Sequence, residues 1–398
     1  MRREEVQLIE PIEEAPMRDQ VLAWTAINSG TANLAGLDAM ANELADAFAA
    51  LPGGVTLEAP AAVETVTTDG TLAPVAHGRH LVVRVRPDAK RRVLLTGHMD
   101  TVYAADHPFQ ASEWLDENRL RGPGSADMKG GIALMLAGLK AFEAGLPTLG
   151  YDVMINSDEE TGSASSAALI RELAQGKIAA LTYEPALPGG IMARARPGSG
   201  NFSAVVTGHA AHAGRNPEDG RNAVVAAADL ALRLAQARHP ALSINPAKID
   251  GGGPNNIVPA KAVLRFNLRP QGPQHAAEAQ ALIERLIVAI ADEHDVAIHL
   301  HGSFGRPPKP ITPEAERLFA LVSDAASDLG EALQWQDTGG VCDGNNIAAC
   351  GVPVLDTMGA RGDFIHSPQE YLDVDSLVPR AKLTTLVLHR IEKGGAYP

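Results

Sequence analysis

Four short runs of apolar and β-branched residues each empty into a cluster of ionisable side chains. Residues 93–96 (VLLT) stop at Gly97 and are followed by His98, Met99, Asp100 and Thr101. Residues 151–156 (YDVMIN) run into Ser157, Asp158, Glu159, Glu160, Thr161 and Gly162. Residues 179–183 end at Glu184 and Pro185, and residues 352–358 end at Gly359, with His366 a few positions on. Runs of this kind read as buried strands. Open α/β sheets bind their ligands just beyond the carboxyl ends of the strands, so four strands aim ionisable groups toward one edge.

A further acid, Asp127, sits in GPGSADMKGG, where Gly122, Pro123 and Gly124 punctuate the chain before an apolar stretch, residues 132–142, that reads as a helix. Asp127 is expected in a loop leading into that helix N-terminus, where negative charge is favoured. Carboxylates clustered without cations would have raised pKa values and cost stability; divalent metals remove that cost. His98, Asp127, Glu160, Glu184 and His366 are therefore candidate ligands. They offer nitrogen and oxygen donors and no thiolate, which suits zinc, cobalt or manganese in place of a Cys-rich structural zinc. Five ligands exceed what one tetrahedral zinc with an open position needs. Two metals sharing a carboxylate, roughly 3.5–4 Å apart as in other two-metal sites, fit the set.

The ordered motifs HMDTV, GPGSADMKGG, DEETGS, YEP, GHAAHAG, NNIVP and GARGDFIHS resemble those of the zinc-dependent peptidases and deacylases that include glutamate carboxypeptidase, acetylornithine deacetylase and succinyl-diaminopimelate desuccinylase. The similarity runs from about Asp19 to about Ile391 and is strongest to the glutamate carboxypeptidase branch, through HMDTVY, the GRP at 305–307, the TGG at 338–340 and EYLDVDSLVPR. The resemblance implies that His98, Asp127 and Glu184 hold one metal, that Asp127, Glu160 and His366 hold the other, and that Asp127 bridges. It makes Asp100 the carboxylate that orients the His98 ring and Glu159 the general base. Neighbours in an extended segment point in opposite directions, so Glu160 can bind metal while Glu159 faces the water. Water between metals titrates near ~7 in place of ~15.7, and a carboxylate can take its proton and return it to a departing amine.

Between the third and fourth strands lies a segment with its own pattern. Residues 202–207 alternate as a strand, 222–237 have helical spacing, 262–269 (AVLRFNLR) alternate again, 276–290 form a second helix and 296–300 a last strand. The sequence thus predicts an α/β fold: a mixed-sheet, three-layer αβα catalytic domain at residues 1–193 and 306–398, interrupted by an α+β sandwich at 194–305. In the resembled family such an insert is a lid that also forms a homodimer. The resemblance gives His212 of HAAHAG a role in the partner's active site, stabilising the oxyanion. Arg269 matches the arginine that grips a substrate carboxylate with two parallel hydrogen bonds, and Asn256 of NNIVP and Gly340 of TGG match its companions. Asn267 departs from an acidic residue usual in relatives, and Arg361 stands where the glutamate carboxypeptidases look apolar.

Composition narrows the partners. A chain of 398 residues has a prior of roughly two to three domains, and its 45% hydrophobic content supports sizeable cores. A net charge of −14 argues against nucleic acid or an anionic membrane as partner. No apolar stretch follows MRREEVQLIEPIEEAP, so a cytoplasmic location is expected. Cys342 and Cys350 are too few for a disulfide framework and are both expected reduced and buried. The expected activity is a hydrolase with two divalent ions, zinc foremost, cutting an N-acyl amino acid or short peptide to release an amino acid with a free α-carboxylate. The rivals are an aminopeptidase or dipeptidase of the same family and a non-catalytic metal-binding protein, against which Glu159 beside all five ligands speaks. A nucleotide-binding protein would want a G-x-x-x-x-G-K-[ST] loop, which GPGSADMKGG lacks.

Overall fold

Alternation within buried strands decides the layering of this chain. The computed structural model describes residues 1–394. Ten strands build the six-stranded sheet and the longer of the two four-stranded sheets: β1 (Gly54–Glu58), β2 (His80–Val85), β3 (Arg92–His98), β4 (Gly150–Asn156), β5 (Ala179–Thr182), β6 (Ser199–Thr207), β7 (Leu242–Gly251), β8 (Lys261–Pro270), β9 (Ala297–Arg306) and β10 (Val354–Leu355). Six form a mixed sheet in the order β1-β2-β4-β3-β5-β10, in which β4, β3, β5 and β10 run parallel and β1 and β2 antiparallel to their neighbours. His98 pairs with Asn156 and Thr96 with Thr182. Three parallel strands therefore finish side by side at one edge.

Leu81, Val83, Val93, Leu95, Val153, Ile155 and Leu181 face the helices Leu34–Phe48, Gly130–Ala144, Pro313–Asp328 and Leu377–Glu392. Val82, Leu94, Met154, Ala180 and Val354 face the opposite way, toward Ala167–Ala174 and Asp343–Ala348. Successive residues pointing to opposite faces, all of them apolar, can be satisfied only by helices on both sides. Each such side chain contributes ~1.5–3 kcal/mol when fully buried, so a slip of register is strongly opposed. The result is the three-layer arrangement read from the sequence.

The segment between β5 and β10 forms a four-stranded antiparallel sheet, β7-β8-β6-β9. Phe202, Ala204, Val206, Leu264, Phe266 and Leu268 pack with residues of the helices Ala223–Gln236 and Pro273–His294. The first helix begins at Asn222, whose side chain accepts the N–H groups of Val224 and Val225, and the second has Pro273 in its first turn; both are favoured starts. On the other face Val205 and Val263 meet Val66, from a hairpin of Val63–Val66 and Leu72–Val75 that precedes β2.

Some element readings change. Residues 352–358 contribute only Val354–Leu355 as strand, because Pro353 has no N–H to donate and Thr357 turns the chain at φ 75°. The strand read at 296–300 runs from Ala297 to Arg306; its polar continuation HGSFGR lies on a sheet edge, where an apolar pattern is not required. β7 was invisible for the same reason, as an edge strand that carries Pro246 at an irregularity in its pairing. Both cysteines are free; Cys342 is buried, but Cys350 is only partly buried. No helix among the described residues is long and apolar enough to cross a membrane.

Candidate metal centre

The carboxyl edge of the mixed sheet gathers five side chains into two adjoining groups. His98 is the last residue of β3, Glu184 follows β5, and Glu159 and Glu160 follow β4 in a tight turn, Glu159–Thr161. Asp127 lies in the turn Ser125–Lys129 ahead of the helix Gly130–Ala144, and His366 in the loop between the short strands Gly362–Asp363 and Tyr371–Asp373. His98, Asp127 and Glu184 each offer a ligand atom within 4.8 Å of the others, and so do Asp127, Glu160 and His366. Asp127 belongs to both groups through different oxygens. Its Oδ1 is 3.1 Å from His98 Nε2, and its Oδ2 is 3.2 Å from His366 Nε2. Glu184 Oε2 stands 3.8 Å from His98 Nε2, and Glu160 Oε2 3.1 Å from His366 Nε2.

The charges of this set call for cations. Burial opposes a charged His98, yet Asp100, Asp127 and Glu184 hold its pKa well above the imidazole range. His366 is pushed up to about 11 by hydrogen bonds to Asp127 and Glu160. Burial also works against charge on Asp127, but His366 and His98 keep its carboxyl far below the usual range. Glu160 is pushed up to about 7 by burial and by the negative charge of Asp127. Three acidic side chains crowded on two imidazoles favour positive charge at this place, a role a divalent cation fills strongly. Two nitrogens and several carboxylate oxygens, with no thiolate, suit zinc, cobalt or manganese.

Other side chains hold these ligands in place. The Asp100 carbonyl lies 3.0 Å from His98 Nδ1, whereas its carboxylate is 3.5 Å away. The main chain is thus the nearer partner of the ring. The carboxylate instead accepts the N–H groups of Glu159 (3.1 Å) and Glu160 (3.2 Å) and the Thr31 hydroxyl (2.7 Å), fixing the turn after β4. The two glutamates are therefore in a tight turn and not in an extended segment, but they still diverge: Glu160 reaches His366, and Glu159 reaches Arg306.

Glu370 is a positioning group that the sequence reading missed. It is buried, and its Oε1 accepts the N–H groups of Ala126 and Asp127, both at 3.0 Å, while Oε2 accepts from Gly124 N–H and the Tyr103 hydroxyl. Nothing in the local pattern around Glu370 distinguishes it from a surface acid, since its partners lie some 240 positions away. His366 and Phe364 have left-handed backbones, φ 61° and 56°. Non-glycine residues there cost ~1–3 kcal/mol each and gather at functional sites.

The remaining candidates lie apart from this cluster. His212 and Asn256 are exposed and occupy two loops of the inserted segment that pair with each other, with Ala213 N–H donating to the Asn256 carbonyl at 2.9 Å. Among the described residues, His212 makes no hydrogen bond or ion pair with the five candidate ligands. Arg269, half-buried on β8, donates to the Gly339 carbonyl (3.1 Å) and to Asn267 Oδ1 (3.2 Å). Gly340 is exposed beside it and adjoins buried Arg196, which is paired with Asp356. Cys342 packs against the same Asp356 at 3.6 Å.

An open α/β sheet with two adjoining His and carboxylate groups at its carboxyl edge is the arrangement of a metal-dependent hydrolase. The pattern of peptidase family M20/M25/M40 matches residues 94–390, and the chain belongs to that family; it is a hydrolase of amide bonds. It is 32% identical over 378 residues to carboxypeptidase G2 of Pseudomonas sp. (strain RS-16), spanning 92% of this chain and 90% of that one. It is 28% identical over 319 residues to the succinyl-diaminopimelate desuccinylase of Pseudoalteromonas atlantica (strain T6c / ATCC BAA-1087), spanning 74% and 82%. The crystal structure of aminopeptidase PepT from Bacillus cereus ATCC 10987 superposes with a TM-score of 0.73 at 20% identity, over 96% of this chain and 99% of that one; that likeness is one of fold.

Proposed function

We propose that the protein is a two-metal hydrolase that releases an amino acid with a free α-carboxylate from an N-acyl amino acid or short peptide. The observation that carries this reading is the division of Asp127 between His98 and His366 through opposite oxygens. In this reading His98 and Glu184 complete one ion's ligands, and Glu160 and His366 the other's. Two divalent ions, zinc foremost, would polarise the amide carbonyl and acidify water. Glu159 takes the water proton on Oε2, the oxygen left open when Oε1 pairs with Arg306, and delivers it to the leaving nitrogen. The names carboxypeptidase and desuccinylase borne by relatives describe the same bond, cut between an acyl group and an amino acid.

Arg269, Asn256 and Gly340 are assigned to the substrate, with Arg269 facing its carboxylate. We assign residues 1–193 and 306–398 to the catalytic domain and 194–305 to a lid that joins two copies into a homodimer. Supporting a homodimer, Val225, Leu232, Ile249 and Val288 are exposed on the inserted segment, and β7 is an open sheet edge. The exposed position of His212 fits a role in the partner's site. Two free cysteines suit a reducing cytoplasm.

The test is a mass-spectrometric screen of zinc-loaded protein against N-acyl amino acids and short peptides, with a chelated control. Release of a carboxyl-terminal amino acid that stops on chelation is expected; cleavage only next to a free α-amine would replace this reading with an aminopeptidase. For the dimer, mixing a Glu159→Gln with a His212→Ala protein should recover about a quarter of native turnover at full exchange, because one hybrid site in two is intact. No recovery after verified subunit exchange would confine His212 to its own chain.

A further inference from the structure

Arg306 closes β9, the last strand of the inserted segment, yet its side chain is 5% exposed and points into the catalytic edge. Its Nη2 donates to Glu159 Oε1 at 2.7 Å, to the Glu159 carbonyl at 3.0 Å and to Ser163 Oγ at 3.1 Å. Its Nη1 donates to Asp343 Oδ1 at 2.8 Å. Asp343 is itself held, by Asn156 Nδ2 at the end of β4 (2.8 Å) and by Ser163 Oγ (2.5 Å). The guanidinium is therefore clamped from behind while it grips one oxygen and the main chain of Glu159.

We propose that Arg306 is a positioning residue for Glu159, holding one carboxylate oxygen so that the other is presented to the water between the metal groups, and tying that placement to the seat of the inserted segment. This rests on the two-metal reading above. A glutamate side chain rotates about three bonds, and a general base must keep its oxygen within ~2.6–3.2 Å of the proton it takes. A planar fork with several donors in fixed directions restricts that freedom as a lysine ammonium does not. The seat is equally defined. Asn345 Nδ2 donates to the carbonyls of Pro197 and Pro307, one on each chain crossing between the two sheets, both at 2.8 Å. Asn346 Nδ2 donates to the Gly305 carbonyl. Arg306 also pairs through its backbone with Ser199 at the start of β6. Any shift of the segment at these crossings moves the guanidinium, and with it Glu159.

Misplacing a reacting group by about 1 Å can cost ~10²-fold in rate. Arg306→Gln is therefore expected to lower kcat ~10²-fold on the best substrate of the screen, with KM changed less than threefold and metal content unchanged. Arg306→Lys should recover part of the loss, and it carries the test if the glutamine variant does not fold. Because the effect passes through Glu159, adding Arg306→Gln to Glu159→Gln should cost nothing further. A multiplicative loss in the double variant, or a rise in KM at constant kcat, would overturn the proposal, the latter by making Arg306 a grip on substrate. If the wild type turns over nothing in the screen, the proposed substrate reading fails separately. Crystal structures of zinc-loaded wild type and Arg306→Gln still decide: the Glu159 carboxylate should leave its place or spread over several rotamers, and an unmoved carboxylate would sink the idea.

Discussion

Glu159→Gln should lower kcat by ~10²–10⁴-fold, the usual contribution of a positioned acid–base group, and leave the metal content at the wild-type value. The amide has the shape of the acid and its oxygen can still accept from Arg306, but it cannot take up a proton. Glu159 is the member of the acidic turn that faces Arg306 and not an imidazole, so its neutralisation removes none of the five candidate ligands. Elemental analysis beside steady-state kinetics separates the outcomes. Retained turnover would take the proton-transfer role from Glu159, and lost metal would make it a ligand.

Asp127→Ala should reach further, because one side chain serves both groups. Replacing a residue that merely orients a ligand costs ~10–100-fold in metal affinity, and removing a shared ligand should exceed that at both ions. The variant is expected to hold less than one metal per chain after dialysis and to lose turnover. The metal-free protein is weakened as well: His98 is 1% exposed, and deleting the partner of a buried ion pair costs ~3–5 kcal/mol. By contrast Glu184→Ala and His366→Ala should each empty one group and spare the other. Two full equivalents retained by Asp127→Ala, measured by plasma mass spectrometry, would rule out a shared aspartate.

The site was legible where chemistry follows a strand directly. His98, Glu160 and Glu184 stand within a few residues of strands whose apolar runs are unmistakable, and a parallel sheet brings such ends together without further information. Asp127 and His366 were legible through motif resemblance more than through pattern, since each sits in an irregular loop. What escaped was the supporting contacts that hold those residues across long sequence separation. Glu370 holds the Asp127 turn, and Arg306 holds Glu159, through partners that no local period announces. Polar edge strands escaped for a related reason: β7 and the end of β9 expose too many side chains to show an apolar alternation. Conversely, the buried strands reported both faces of their layer faithfully, because a run whose apolar members point both ways has to be covered twice.

The interrupted chain order also sets a timetable for assembly during synthesis. Strands β6 to β9 are contiguous, so they can pair among themselves as they leave the ribosome, much as an independent module does. The six-stranded sheet must wait for β10, and its apolar face for the helix Leu377–Glu392. Of the five ion-binding candidates, four are translated before the insertion and His366 long after it. A nascent chain therefore carries an acid-rich, half-built cavity throughout the synthesis of residues 185–365, and full ion capture is deferred until His366 has been added.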